Sequence, residues 1–70
     1  MRISARNQLR GSVLSITRGP ITTLVKIDVG GGQSVSATLT TEASDELELT
    51  VGSPVTAVFK ASAVMLGIEE

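Results

Sequence analysis

Ile21, Thr23, Val25, Ile27 and Val29 alternate with Thr22, Leu24, Lys26 and Asp28. A period of two, rich in β-branched residues, predicts a strand with one buried face. Gly30-Gly31-Gly32 follows, and the access of glycine to positive φ predicts a hairpin at that point. The return strand sets Val35, Ala37 and Leu39 on one face and Ser34, Ser36 and Thr38 on the other. Upstream, Arg10 to Arg18 is also strand-like, but Val13, Leu14 and Ile16 do not keep one phase. A β-bulge reconciles them. Gly19-Pro20 then predicts a tight corner.

The character changes at Thr41 to Leu49, where a short helix is predicted. Thr40 or Thr41 caps it, Glu42 suits its first turn, and Leu47 is its expected anchor. Glu46 and Glu48 oppose the helix dipole, so packing must hold it. After the turn at Gly52-Ser53-Pro54, Val55, Ala57 and Phe59 share a face, which makes Phe59 a core candidate. Lys60-Ala61-Ser62 interrupts this strand, and Val64, Leu66 and Ile68 predict a last short one. With a brief strand at Arg2–Ser4, about five or six strands and one short helix result: an all-β fold, a small closed barrel of the OB type.

The chain has 70 residues, read as one domain over residues 1–70. A domain this small buries only about 60% of its unfolded surface and usually needs disulfides, a metal or association. With no Cys and no His, and with 41% of residues apolar, association remains, and a homo-oligomer is expected. The absence of Cys suits a reducing cytosol. Met1-Arg2-Ile3-Ser4-Ala5-Arg6 lacks the apolar core of a signal peptide, and no apolar run approaches the ~20 residues of a membrane helix. The expected location is cytoplasmic, with no membrane partner. Residues 1–30 carry Arg2, Arg6, Arg10, Arg18 and Lys26 against Asp28, whereas residues 31–70 carry Lys60 against Glu42, Asp45, Glu46, Glu48, Glu69 and Glu70. Solvated faces explain this asymmetry, and so does head-to-tail attraction between subunits.

Without His or Cys there is no ordinary transition-metal site, no Cys nucleophile and no His base, so an enzyme is not expected. The three glycines lack the helix and Lys of a phosphate loop. Single-strand nucleic-acid binding needs a basic groove with aromatic platforms. One Phe, no Tyr or Trp and a net charge of −1 disfavour it. What remains is anion chemistry. A desolvated tetrahedral dianion needs about two cations and several convergent donors. Arg6 and Lys60 can supply the charges; the hydroxyls of Ser4, Thr40 and Ser62 and the N–H groups near Ala5, Asn7 and Ala61 can supply donors. Donors without a carboxylate acceptor also disfavour protonated phosphate. Equally, Arg6 and Lys60 can be ordinary surface cations.

The opening Ser4-Ala5-Arg6-Asn7-Gln8-Leu9-Arg10-Gly11, with Val13, Ile16, Gly19 and Ile21, resembles that of the molybdate-binding Mop domains, the molbindins. The resemblance runs through Gly31-Gly32, Ala37-Thr38-Leu39-Thr40, Leu47-Glu48-Leu49, Gly52 and Val55-Thr56-Ala57 to Lys60-Ala61-Ser62 and Val64-Met65-Leu66. It implies an OB-like barrel assembled as a homohexamer, a trimer of dimers, with molybdate bound between subunits and tungstate bound similarly. It also implies a stand-alone Mop domain for intracellular storage or buffering, or a molybdate-responsive regulatory or protein-interaction module. The family's oxyanion contacts fall on Ser4, Ala5, Arg6, Thr40, Lys60 and Ala61, with Ser62 beside them, and Arg6 and Lys60 are expected from adjacent subunits. Where the family carries a Ser three positions after Thr40, this chain has Ala43; Ser44 is the expected substitute. Asn7 and Gln8 are assigned to stabilising the N-terminal turn.

Overall fold

The computed structural model describes residues 2–69; Met1 and Glu70, which entered the leader and charge arguments, lie outside them. Four strands, β1 (Asn7–Arg18), β2 (Thr22–Gly30), β3 (Gln33–Thr40) and β4 (Pro54–Phe59), pair antiparallel in the order β3-β2-β1-β4. Helix α1 (Thr41–Glu46) follows β3, and a 3₁₀ turn (Ala61–Ala63) follows β4. The result is a mostly-β fold, a sheet curled into a half-barrel with one short helix.

The predicted hairpin is present. Gly31 and Gly32 join Gly30 to Gln33 with φ of 62° and 77°, the sign a type I′ turn demands at both central positions. The Asp28 side chain accepts from the Gly30 N–H at 2.9 Å. The bulge is present too: the β1–β2 register shifts between Val13 and Ser15, which leaves Leu14 unpaired. This slip returns Val13 and Ile16 to one face. Val13, Val25, Ile27 and Ala57 form the buried core, and Ile16, Val35, Leu39, Leu49 and Val55 pack around it. Phe59 lies half-buried beside them on the concave face.

Several expectations fail. Among the described residues there are four strands, because neither Arg2–Ser4 nor the segment after Val64 pairs with anything. Alternation makes a segment competent for a sheet, but a strand needs a neighbour's N–H and C=O groups. The half-barrel is therefore open between β3 and β4. An apolar groove of about 490 Å³ runs there, with Val35, Leu39, Leu49, Val55 and Phe59 in its walls. Met65, Leu66 and Ile68 are 90% or more exposed. Leu47 does not anchor α1, being largely exposed, and Ile21 sits outside β2 in the corner. The helix is held instead through buried Thr41 and Ser44.

Gly11 marks the closest approach between strands. A Cβ there would run into the Asp28 carbonyl oxygen and meet the Ile27 side chain at 3.0 Å. Both obstacles lie on a central strand that cannot retreat without breaking its ladder. Gly11→Ala is expected to cost about 1–3 kcal/mol, read as a lowered melting temperature by circular dichroism.

Candidate functional site

The outermost rung of the β1–β4 ladder is Asn7 opposite Phe59. Arg6 and Lys60 lie one residue beyond those two strand ends. One chain therefore brings Ser4-Ala5-Arg6 and Lys60-Ala61-Ser62 to the same end of its sheet. Both side chains are exposed, and among the described residues neither has a carboxylate within ion-pair distance. Two neighbouring cations without a counter-charge form a positive edge.

Local structure adds donors. Lys60 precedes the 3₁₀ turn in an extended conformation and no side chain caps that turn. The first N–H groups of such a turn, here near Ala61 and Ser62, have no partner within it. Ala63 and Val64, further on, donate back to the Lys60 and Ala61 carbonyls at 3.0 and 3.3 Å. Ser4 and Ser62 are both exposed. Gln8 fulfils its structural assignment by donating to the Ala5 carbonyl at 3.4 Å, which ties the segment before β1.

Thr40 lies elsewhere. It ends β3 opposite Thr22, which begins β2 beside the last residues of β1. β1 has 12 residues, and at roughly 3.3 Å per residue its two ends lie on the order of 30 Å apart along the strand. No Arg or Lys side chain spans that distance. Within one chain the sequence-predicted contacts thus fall into two groups at opposite ends of the sheet. Thr40 caps α1, its Oγ1 accepting from the Ala43 N–H at 3.1 Å, so its hydroxyl proton stays free to donate. Ala43 thereby contributes a backbone N–H where a serine was expected. Ser44, the expected substitute, is only 6% exposed in the single chain.

Sequence reasoning missed a polar cluster beneath Thr40. Thr41 Oγ1 donates to the Gly19 carbonyl at 2.7 Å and lies 2.8 Å from Thr23 Oγ1. The Thr41 N–H bonds the Ile21 carbonyl at 2.8 Å. Across the top, Arg18 Nη2 meets Asp45 Oδ2 at 2.8 Å. The hydrogen bond from Arg18 lowers the Asp45 carboxyl below its usual range and raises the Arg18 guanidinium. The available signal was Thr23, a hydroxyl residue in the core phase of β2.

Residues 3–66 match the TOBE domain. The chain belongs to the TOBE domain family. Within it the chain is of the molbindin (Mop) type, and the OB-like fold is shared. This TOBE domain is 49% identical to a probable molybdenum-pterin-binding protein of Haemophilus influenzae over 99% of this chain and 100% of the relative. Its structure is similar to MopII of Clostridium pasteurianum in an apo form, with TM-score 0.89, 34% identity, and coverage of 96% of this chain and 100% of that one. It is also similar to a molybdate-bound form of the cytoplasmic molybdate-binding protein ModG, with TM-score 0.92 and 40% identity, covering 99% of this TOBE domain and 49% of that chain. No helix among its described residues is long and apolar enough to cross a membrane.

Proposed function

We propose that this TOBE domain, as a single Mop unit over residues 1–70, binds molybdate at sites shared between copies of itself. One copy supplies Arg6, Lys60, the Ser4 and Ser62 hydroxyls and the Ala5 and Ala61 N–H groups; another supplies the Thr40 hydroxyl. The observation that supports this reading is that Arg6 and Lys60 follow directly on the last rung of the β1–β4 ladder, Asn7 opposite Phe59, and that neither has an ion-pair partner among the described residues. Tungstate has the same charge and tetrahedral shape and binds through the same contacts.

Binding rather than catalysis suits a chain without His or Cys. The similarity to molybdenum-pterin-binding proteins and to cytoplasmic ModG supports the ligand and a cytoplasmic location. Homohexamer assembly, as a trimer of dimers, follows the molbindin pattern; the open apolar groove and the exposed apolar tail support self-association. The role is storage or buffering of molybdate.

Isothermal titration with molybdate, with sulfate and phosphate at equal ionic strength, tests this reading. Saturable heat with molybdate and none with sulfate is expected, and weaker heat with phosphate, since the site has no carboxylate to accept the proton of hydrogen phosphate. Silence with both molybdate and tungstate would remove the ligand and leave a protein-interaction module.

A further inference from the structure

We propose that Thr23 and Thr41 are positioning residues for oxyanion binding, acting through Thr40. The inference rests on Thr40 being an oxyanion contact, as the proposed function has it. Thr23 is 1% exposed and Thr41 5% exposed, so neither hydroxyl can reach a bound ion. Their hydrogen bonds have one consistent direction. The Gly19 carbonyl can only accept, so the single proton of the Thr41 hydroxyl goes to it at 2.7 Å. In the 2.8 Å contact between the two threonines, Thr23 is therefore the donor. A buried chain results, Thr23 O–H to Thr41 O–H to Gly19 C=O, in which each bond strengthens the next.

This chain sits directly behind Thr40. The Thr41 N–H to Ile21 carbonyl bond fixes the peptide plane that joins Thr40 to Thr41. The pairing with Thr22 holds Thr40 from the other side, and the Ala43 N–H occupies a lone pair of its Oγ1. With its backbone held at both sides and its oxygen engaged, Thr40 has its remaining O–H proton aimed in a set direction. A donor fixed before the ligand arrives loses less freedom on binding than one that must be ordered. The corner Arg18–Ile21 thus serves as the anvil for a contact residue that lies remote from it in sequence.

The test is a double-mutant cycle on the assembled protein, read as molybdate affinity by calorimetry. Thr40→Ala is expected to weaken binding roughly ten- to a hundredfold, the loss of one hydrogen bond to a charged group, and Thr41→Val by up to the same factor. Thr41→Ser, which keeps the hydroxyl, is expected to bind within about twofold of the parent. The decisive variant is the double substitution. If Thr41 acts through Thr40, Thr41→Val adds no further loss in the Thr40→Ala background. Should Thr41→Val fail to fold, Thr23→Val replaces it in the same cycle, since it removes the start of the chain and leaves the Gly19 bond intact. Losses that multiply, or a Thr41→Val protein that binds like the parent while Thr40→Ala is weakened, would overturn the positioning role alone. Unchanged binding by Thr40→Ala would instead remove Thr40 from the site.

Discussion

Arg6→Ala and Lys60→Ala are each expected to lower molybdate affinity by well over tenfold while leaving the protein folded. Each substitution removes a full charge from a site that must hold a desolvated dianion. A hydrogen bond to a charged group contributes about 1.5–3 kcal/mol, and every ~1.4 kcal/mol is a factor of ten. Neither residue has an ion-pair partner among the described residues, so its removal breaks no contact that holds the fold. Relief of repulsion between neighbours on the ladder acts in the opposite direction, toward stability. Calorimetry on each variant, with sedimentation velocity to confirm assembly, checks both halves of the prediction. Parent-like binding by both variants would mean that the positive edge is not the site.

Leu66→Asp combined with Ile68→Asp is expected to dissociate the protein to monomers and to abolish molybdate binding with it. These side chains are 94% and 90% exposed in one chain, which also leaves an apolar groove open between β3 and β4. Covering a Leu or Ile side chain contributes roughly 1.5–3 kcal/mol, and a carboxylate in the same place costs far more than that gain. The β-sheet of the single chain does not depend on the tail, so circular dichroism is expected to keep its strand signature. Sedimentation velocity reads the outcome directly. An unchanged oligomer would mean that the tail does not lie in the interface.

Local rules made the β2–β3 hairpin legible, because alternation and three consecutive glycines act over a few residues. The bulge at Leu14 was legible for the same reason: a break in phase has one simple remedy. The Val64–Ile68 alternation was read as a strand and is unpaired, since pairing is a property of two segments and the sequence displays one at a time. Leu47 looked like an anchor because it is the first apolar residue after the acidic run, yet two hydroxyl residues, Thr41 and Ser44, face inward instead. At the candidate site, residue types could be read but not their distribution. Only the ladder reveals that Arg6 and Lys60 share an end and that Thr40 does not. The Thr23–Thr41 pair escaped notice because a lone threonine among valines is indistinguishable from a strand former until its partner is seen.

The separation of the contact groups along β1 has a thermodynamic consequence. A chain that holds half of a binding set at each end can complete neither half alone. If molybdate binds as proposed, two copies lying side by side in opposite directions would complete both at once. The anion then acts as mortar: whatever free energy it gains from the second copy is also free energy of association. Apparent affinity rises with protein concentration until assembly is saturated, and added molybdate raises the melting temperature and the association constant together. A store built this way would load where the protein is abundant and empty on dilution, with no moving part.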